Sequence, residues 1–571
     1  MWIRGLNFRS KEYFRSATEP LKLDIQRNQS NPITVSPRYL EEVGESLGLL
    51  NKVQSYLQEV SQLGLQEAWL GLPPHGHNRW DHSVGAANVG FIWLSALDQD
   101  KRIARGALRP PLDTPEKIYP VVVLSLILHD YGHVPFSHLF EQVLESINWL
   151  PPTADGSEAA ILPERLNKLS KSFQNFVAAY REYQVESDDV RKIVSSLILG
   201  NYGMPWLQAI VNSPVDADKI DYIRYDSQFL SNAPFGIRAR LLLDKVDQWL
   251  SDFLSEQEVN HAGLLALHGR SARAALELWE ERMYLYDRFY RAPELRVPDR
   301  MAFEIVQQYL IRCTMSKPFL GKQASPPDVK SRVTYKLRGF TDRVARQRDQ
   351  KPVDPVEAKY RSTLEVMLWA RKYGGTSHLE FGILKMMKEQ LLQHANIDES
   401  FKNFLEECWS CLSSLAEGGV ELRQLMNNSL VRQPLLVPRE QFDKAREVLR
   451  PIQHAYCAEA LIDIAKMPRV LAAPKRYSVR SLGGEDKNQD IDYQILVPSG
   501  PLNSWQPGKR ASQPLSDEVV SDLEKKYSYC RIIVICPNAA NTARAVYIWD
   551  RVRSVLIESG ISVHAMEHWP P

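Results

Sequence analysis

The apolar run Val121-Val-Val-Leu-Ser-Leu-Ile-Leu128, ending in His129 and Asp130, constrains this chain more than any other feature. The apolar stretch around residues 118–128 is about half of the ~20 residues that a membrane-spanning helix needs, so it reads as a buried core helix. Such a helix has little reason to end in two polar side chains, unless they do something there. Neutral imidazole and carboxylate both ligate divalent ions of the zinc, manganese, iron or magnesium range. His82, in Asn78-Arg-Trp-Asp-His82, and Asp218, in Asp216-Ala-Asp-Lys-Ile-Asp-Tyr222, flank the pair. Read in order, the chain offers His, then His-Asp, then Asp as a candidate ligand set.

Composition excludes several classes. With 571 residues, 44% hydrophobic and 24% charged, the sequence is that of an ordinary globular protein of two to four domains. A net charge of +1 provides no global field for nucleic acid or an anionic membrane. The first residues lack the apolar stretch of a secretory signal, and six cysteines make no disulfide framework in so long a chain. A cytoplasmic protein with reduced thiols and no membrane partner is expected.

The residues around the pair add the rest of a site. His133 lies four residues beyond His129, on the same face if the helix persists past Asp130. Gly132 and Pro135 predict a break that brings His138 back toward the ligands. His138 and Glu141, three apart on the next helix, make a general acid/base pair in which the carboxylate orients the imidazole. Arg79 can fork onto phosphate oxygens, and Lys219 and Tyr222 add an ammonium and a phenol beside Asp218. A metal held by His82, His129, Asp130 and Asp218 would acidify water and polarise a phosphoryl oxygen.

His129-Asp-Tyr-Gly-His-Val-Pro-Phe-Ser-His-Leu-Phe-Glu141 resembles the central motif of the HD-domain phosphohydrolases. Its Gly-His-x-Pro-Phe-Ser-His continuation is similar to one branch, the deoxynucleoside triphosphate (dNTP) triphosphohydrolases. His77-Asn-Arg-Trp-Asp-His-Ser-Val-Gly85, Asp216–Tyr222 and Gln62-Leu-Gly64 resemble that branch's flanking motifs, within residues 55–230, with a weaker echo at Leu285-Tyr-Asp-Arg-Phe289. The resemblance implies a mainly α, helical HD core and hydrolysis of dNTPs to deoxynucleoside and inorganic triphosphate. It implies catalytic roles for His138 and Glu141 with His133 beside the phosphates, and triphosphate contacts from Arg79, Lys219 and Tyr222. It further implies that Gln62 and Leu63 read the deoxyribose, and that the chain forms a homo-oligomer that lowers dNTP pools, in housekeeping or against an invading virus.

The sequence departs from the family in three places. No histidine lies between His138 and Asp218, where some members carry an additional His-Glu pair, so the chemistry would rest on His138 and Glu141. Leu49–Gln58 lacks the acid and arginine of the vertebrate-type nucleotide-sensing motif. About sixty residues precede Gln62, too few for a separate SAM-type domain. Base preference and native metal are not written in these motifs. Two other readings stay open: a phosphohydrolase acting on nucleoside monophosphates or single-stranded DNA ends, and a catalytically silent nucleotide sensor.

Apolar periodicity predicts helices over 38–70, 83–99, 119–128, 164–182, 188–199, 239–256 and 270–291, then over 355–372, 379–394, 399–416 and 439–466. Strands are expected at Tyr493–Pro498, Arg531–Pro537 and Ile561–Met566, with a helix at 541–559. Three units follow: an HD catalytic core over 1–320, a helical extension over 321–475 and a small α/β unit over 476–571. Asp216 and Asp221 read as an N-cap and a structural partner, and Asp226 as a partner of Arg224 or of another helix. The basic stretch Lys330–Lys351, with eight Lys or Arg residues, reads as a solvated face or subunit contact, with nucleic acid or an effector phosphate as alternatives. Cys408, Cys411, His454 and Cys457 read as core residues, with a structural zinc site as the alternative.

Overall fold

The computed structural model describes, with short breaks, residues 60–70, 78–99, 102–146, 187–230, 242–314, 379–466 and 528–565, with shorter pieces within 24–34, 53–57, 162–174 and 476–514. The basic stretch 330–351, the helix expected over 355–372, most of 38–59 and the loops at 151–157 and 234–236 lie outside the described residues.

Two helices buried on nearly every side form the centre: α1 (Arg79–Gln99) and α2 (Pro115–Leu128). Pro115 opens α2 at a position whose N–H would have no helical partner, and its ring sets the required φ. α2 therefore begins four residues earlier than its apolar periodicity predicts. The Ser125 hydroxyl donates to the Val121 carbonyl at 2.7 Å, so the one polar side chain of the run is satisfied inside the core. Gly90 lets α1 and α2 meet closely, since a Cβ there would stand 2.2 Å from Leu126 Cδ1. α3 (Ser137–Ser146) packs on the helix over Pro293–Tyr309, whereas α4 (Ser187–Ile198), α5 (Pro205–Val211) and α6 (Ala217–Leu230) surround this pair, α6 lying along α1 and α4 along α2.

The remainder of the helical body comprises α7 (Leu242–Ser255), α8 (Gly269–Leu285) and α9 (Pro293–Tyr309), then α10 (Leu379–Leu392), α11 (Glu399–Ala416) and α12 (Leu422–Ser429). α8 gives way to a π turn, Tyr286–Tyr290, where a single helix through 291 was expected. A short antiparallel pair, β1 (Gln257–Val259) and β2 (Leu265–Leu267), joins α7 to α8. α9 is a hub. Its buried Asp299 accepts hydrogen bonds from Gln66 Nε2 and Trp69 Nε1, both at 2.9 Å, tying the Gln62-Leu-Gly64 segment to the body. Among the described residues, no helix is long and apolar enough to cross a membrane.

A four-stranded antiparallel sheet completes the chain: β3 (Leu435–Pro438), β4 (Leu461–Lys466), β5 (Tyr529–Ile535) and β6 (His564–Ala565), in the order β6-β3-β5-β4. α13 (Phe442–Ala455) connects β3 to β4 and α14 (Thr542–Glu558) connects β5 to β6, the interleaved pattern of a split β-α-β fold. Leu435, Val437, Ile462, Ile532 and Val534 pack with both helices, whereas Leu461, Ile533 and Ile535 join the core of the helical body.

The unit thus begins near Leu435, and the boundary expected at 475/476 falls inside it. The helix expected over 439–466 ends at Ala455 because Leu461–Lys466 alternates between two faces, a period of two that a longer helical window hides.

Buried charges fasten the sheet to α9 and to the π turn before it. Arg296 grips Asp463 with Nη2–Oδ1 at 2.5 Å and Nε–Oδ2 at 2.9 Å, and Arg531 binds Asp287 at 2.9 Å and the Arg291 carbonyl at 2.7 Å. Removing one partner strands a buried charge. Asp463→Ala is therefore expected to lose about 3–5 kcal/mol in denaturant unfolding, and an Arg296→Met/Asp463→Leu pair to recover most of it.

Candidate metal centre

Three segments far apart in sequence meet at the open end of α2. His82 comes from the first turn of α1, His129 from the residue after α2, and Asp218 from the first turn of α6. Their ligand atoms all lie within 4.8 Å of one another, a group able to hold a metal ion. His82 Nε2 is 3.2 Å from His129 Nε2 and 3.0 Å from Asp218 Oδ1, and His129 Nε2 is 3.4 Å from the same oxygen.

The donor set fits a divalent ion. Neighbouring ligands each about 2.1 Å from one ion stand ~3.0–3.4 Å apart for right-angled to tetrahedral geometry. The opposite nitrogen of each ring is already committed. His129 Nδ1 donates to the Leu126 carbonyl at 2.6 Å, which fixes its tautomer, and His82 Nδ1 donates to Asp221 Oδ2 at 2.9 Å. Both Nε2 lone pairs therefore face one point, the arrangement that outer partners impose on metal-binding histidines.

Asp130 stands at the edge of this group, with Oδ2 3.8 Å from His82 Nε2 and Oδ1 3.6 Å from His129 Nε2. Its carboxylate faces Arg79 Nη1 at 2.6 Å and His133 Nε2 at 3.2 Å. Arg79, expected among the phosphate contacts, thus lies buried within the cluster and neutralises Asp130. His133 is not on the helix of His129. α2 stops at Leu128, one 3-10 turn (His129–Gly132) follows, and His133 is extended at φ −65°. His138 is 71% exposed, bonds Glu141 Oε2 through Nδ1 at 3.0 Å, and packs its ring 5.7 Å from His133. It stands beside His133 at the mouth.

Opposing effects set the charges. Burial would lower the pKa of His129, but the Asp130 and Asp218 carboxylates outweigh it and raise it to about 9. His82 is likewise raised, burial being overcome by its bonds to Asp218 and Asp221. Burial resists ionisation of Asp130 and Asp218, yet Arg79, His129 and His133 hold Asp130, and His129, His82 and Lys219 hold Asp218, well below the usual carboxylate range. Burial and Arg79 together lower His133, favouring its neutral form.

Around the rim, Lys219 Nζ pairs with Asp216 Oδ2 at 2.6 Å, and Asp216 caps α6 by accepting from Lys219 N at 2.8 Å. Tyr222 accepts a bond from Arg282 Nε at 2.8 Å, and its ring lies 6.5 Å from that of His82. Arg282 also sits over the Tyr286 ring at 5.2 Å. Sequence reading missed Arg282, because the 60 residues between it and Tyr222 leave no local signature. Asp226 accepts a bond from Tyr290 on the π turn, while Arg224 bonds Asp221 at 2.9 Å. Gln62 Oε1 is buried without a hydrogen-bond partner beside the buried Leu63.

Cys408 and Cys411 lie away from this centre in the core of α11. Burial pushes the Cys408 thiol up and that of Cys411 to about 11. The side chain of His454 and all of Cys457 lie outside the described residues.

Two outcomes follow from this geometry. A metal must displace the proton from His129, so divalent-ion affinity should fall as pH drops below about 9, with proton release visible by calorimetry in buffers of different ionisation enthalpy. A Cβ at Gly85 would stand 2.3 Å from Asp221 Oδ1, so Gly85→Ala should push Asp221 off His82 and weaken metal binding by ~10–100-fold in a competitive chelator titration.

No protein-family model matches the chain. It is 26% identical over 212 residues to the deoxynucleoside triphosphate triphosphohydrolase SAMHD1 homolog of Dictyostelium discoideum, covering 36% of this chain and 37% of that protein. It is 32% identical over 85 residues to human SAMHD1, 15% of this chain and 12% of the relative. The matched region therefore spans little more than a third of the first relative's length and about an eighth of the second's. A phosphohydrolase crystal structure from Bacteroides thetaiotaomicron aligns over 90% of this chain and all of that one, with 14% identity and a TM-score of 0.44. Together with the motif segments, these sequence likenesses support an HD-domain, dNTP triphosphohydrolase-like family for the matched region.

Proposed function

We propose that the protein is a metal-dependent phosphohydrolase that cleaves dNTPs at the α-phosphorus, releasing the deoxynucleoside and inorganic triphosphate. The observation that carries this reading is the convergence of His82, His129 and Asp218 beside a carboxylate-paired histidine, His138. A divalent ion held by these three ligands, with Asp130 adjoining, would supply Lewis-acid polarisation of the phosphoryl oxygen and acidify water.

The chain's own residues would do the rest. His138, oriented by Glu141, gives a proton to the leaving 5′-oxygen. His133, neutral and bonded to Asp130, lies between that pair and the ligands and faces the phosphates. Arg79, Lys219 and Arg282 supply the positive charge that a polyphosphate needs, and Tyr222 adds a hydroxyl. Each cation already holds a polar partner, so substrate phosphate would exchange with those partners. Gln62, with its buried unpaired oxygen, suits a sugar hydroxyl, and Leu63 supplies an apolar wall against a 2′-hydroxyl. Homo-oligomeric assembly and a cytoplasmic place in nucleotide metabolism belong to the same proposal. So does a catalytic core ending near residue 320.

Incubation with each dNTP and NTP in Mg²⁺ or Mn²⁺, followed by anion-exchange separation, tests the reading. Deoxynucleoside plus intact triphosphate is expected, with Glu141→Ala lowering kcat by ~10²-fold or more while nucleotide binding persists. Monophosphate plus pyrophosphate would move the cleaved bond. Absence of turnover, singly and in nucleotide mixtures, would favour a sensor.

A further inference from the structure

Phe136 lies between His133 and His138 and has φ +68°, the left-handed region that side-chain-bearing residues rarely adopt. Its ring is buried and stacked on Phe140 at 6.4 Å, and its carbonyl accepts from Leu139 N at 3.0 Å, the bond that starts α3. The Phe136 backbone therefore sets where α3 begins and how it points, and α3 carries His138 and Glu141.

The group that meets this backbone comes from 244 residues further along the chain. Phe136 N donates to Glu380 Oε1 at 3.3 Å, and Glu380 is 2% exposed in the first turn of α10. The positive end of the α10 dipole favours a carboxylate there. The next residue, Phe381, fixes α10 in place, edge-on to Trp69 at 5.9 Å and stacked on Trp409 at 5.0 Å. The Phe136 carbonyl lies 3.8 Å from where a Gly64 Cβ would be, so the same clamp abuts the Gln62-Leu-Gly64 segment.

We infer that Glu380 is a positioning residue: it holds the Phe136 backbone in its left-handed turn and thereby sets His138 and Glu141 at the mouth of the ligand cluster. This rests on the reading of His138 as proton donor. The helical extension beyond residue 378 is then a part of the active site's construction, acting through a backbone amide and not through substrate.

Hydrogen exchange and steady-state kinetics on the full chain test it together. Glu380→Ala should lose protection of the Phe136 amide and the start of α3. It should lower kcat by ~10–100-fold with KM held within about twofold. Divalent-ion binding at His82, His129 and Asp218 should be retained. Glu380→Gln, which keeps an oxygen acceptor, should restore protection and most of kcat. If Glu380→Ala does not fold, Glu380→Met keeps the volume and removes the acceptor. Unchanged exchange in the variant lacking the acceptor, or equal kcat loss in Glu380→Gln, would overturn the assignment. Wild-type inactivity on every dNTP would count against the functional reading alone, since the exchange result still decides the clamp.

Discussion

Two imidazole nitrogens held 3.2 Å apart, with a carboxylate oxygen within 3.4 Å of both, are what the surrounding helices are built to support. In this arrangement one divalent ion would satisfy all three donor atoms at once. The arrangement persists because each ring is fixed from behind, His129 by the Leu126 carbonyl and His82 by Asp221. Those anchors depend in turn on close helix packing. Gly85 leaves the space that Asp221 occupies, and Gly90 lets α1 lie against α2. A single methyl group at either glycine would be felt at the ligands.

Buried charge elsewhere follows a similar logic of paired commitment. Asp130 is balanced by Arg79 and Asp216 by Lys219, so the cations nearest the cluster are held in place before any polyanion arrives. Further out, Arg296–Asp463 and Arg531–Asp287 fasten the terminal sheet against α9 and the π turn. The π turn carries Tyr286 and Tyr290, which meet Arg282 and Asp226. The sheet, the π turn and the rim of the site thus form one connected set of contacts. Pairs of this kind add little net stability over apolar packing, but losing one member is costly.

Much of this was legible in the sequence where chemistry and local periodicity coincide. The His129-Asp130 pair terminates an apolar run, and a helix was expected at most positions where one is found. Asp216 as an N-cap and Asp226 as a partner of another element could be read from residue type alone. What stayed hidden depends on long-range approach. Glu380 reaches Phe136 across 244 residues, Arg282 reaches Tyr222 across 60, and neither spacing has a local signature. The left-handed Phe136 is likewise invisible, since phenylalanine does not advertise positive φ. The split β-α-β unit was half seen because β3 and β4 are short and flank a helix, so their period of two was absorbed into a helical pattern.

The central claim is that His82, His129 and Asp218 hold one divalent ion. Metal content by elemental mass spectrometry, measured on the purified chain and on His129→Ala after equilibration with Mn²⁺, tests it most directly. One ion per wild-type chain and none in the variant is the predicted result. An ion retained in His129→Ala, or none bound by the wild type, would contradict it.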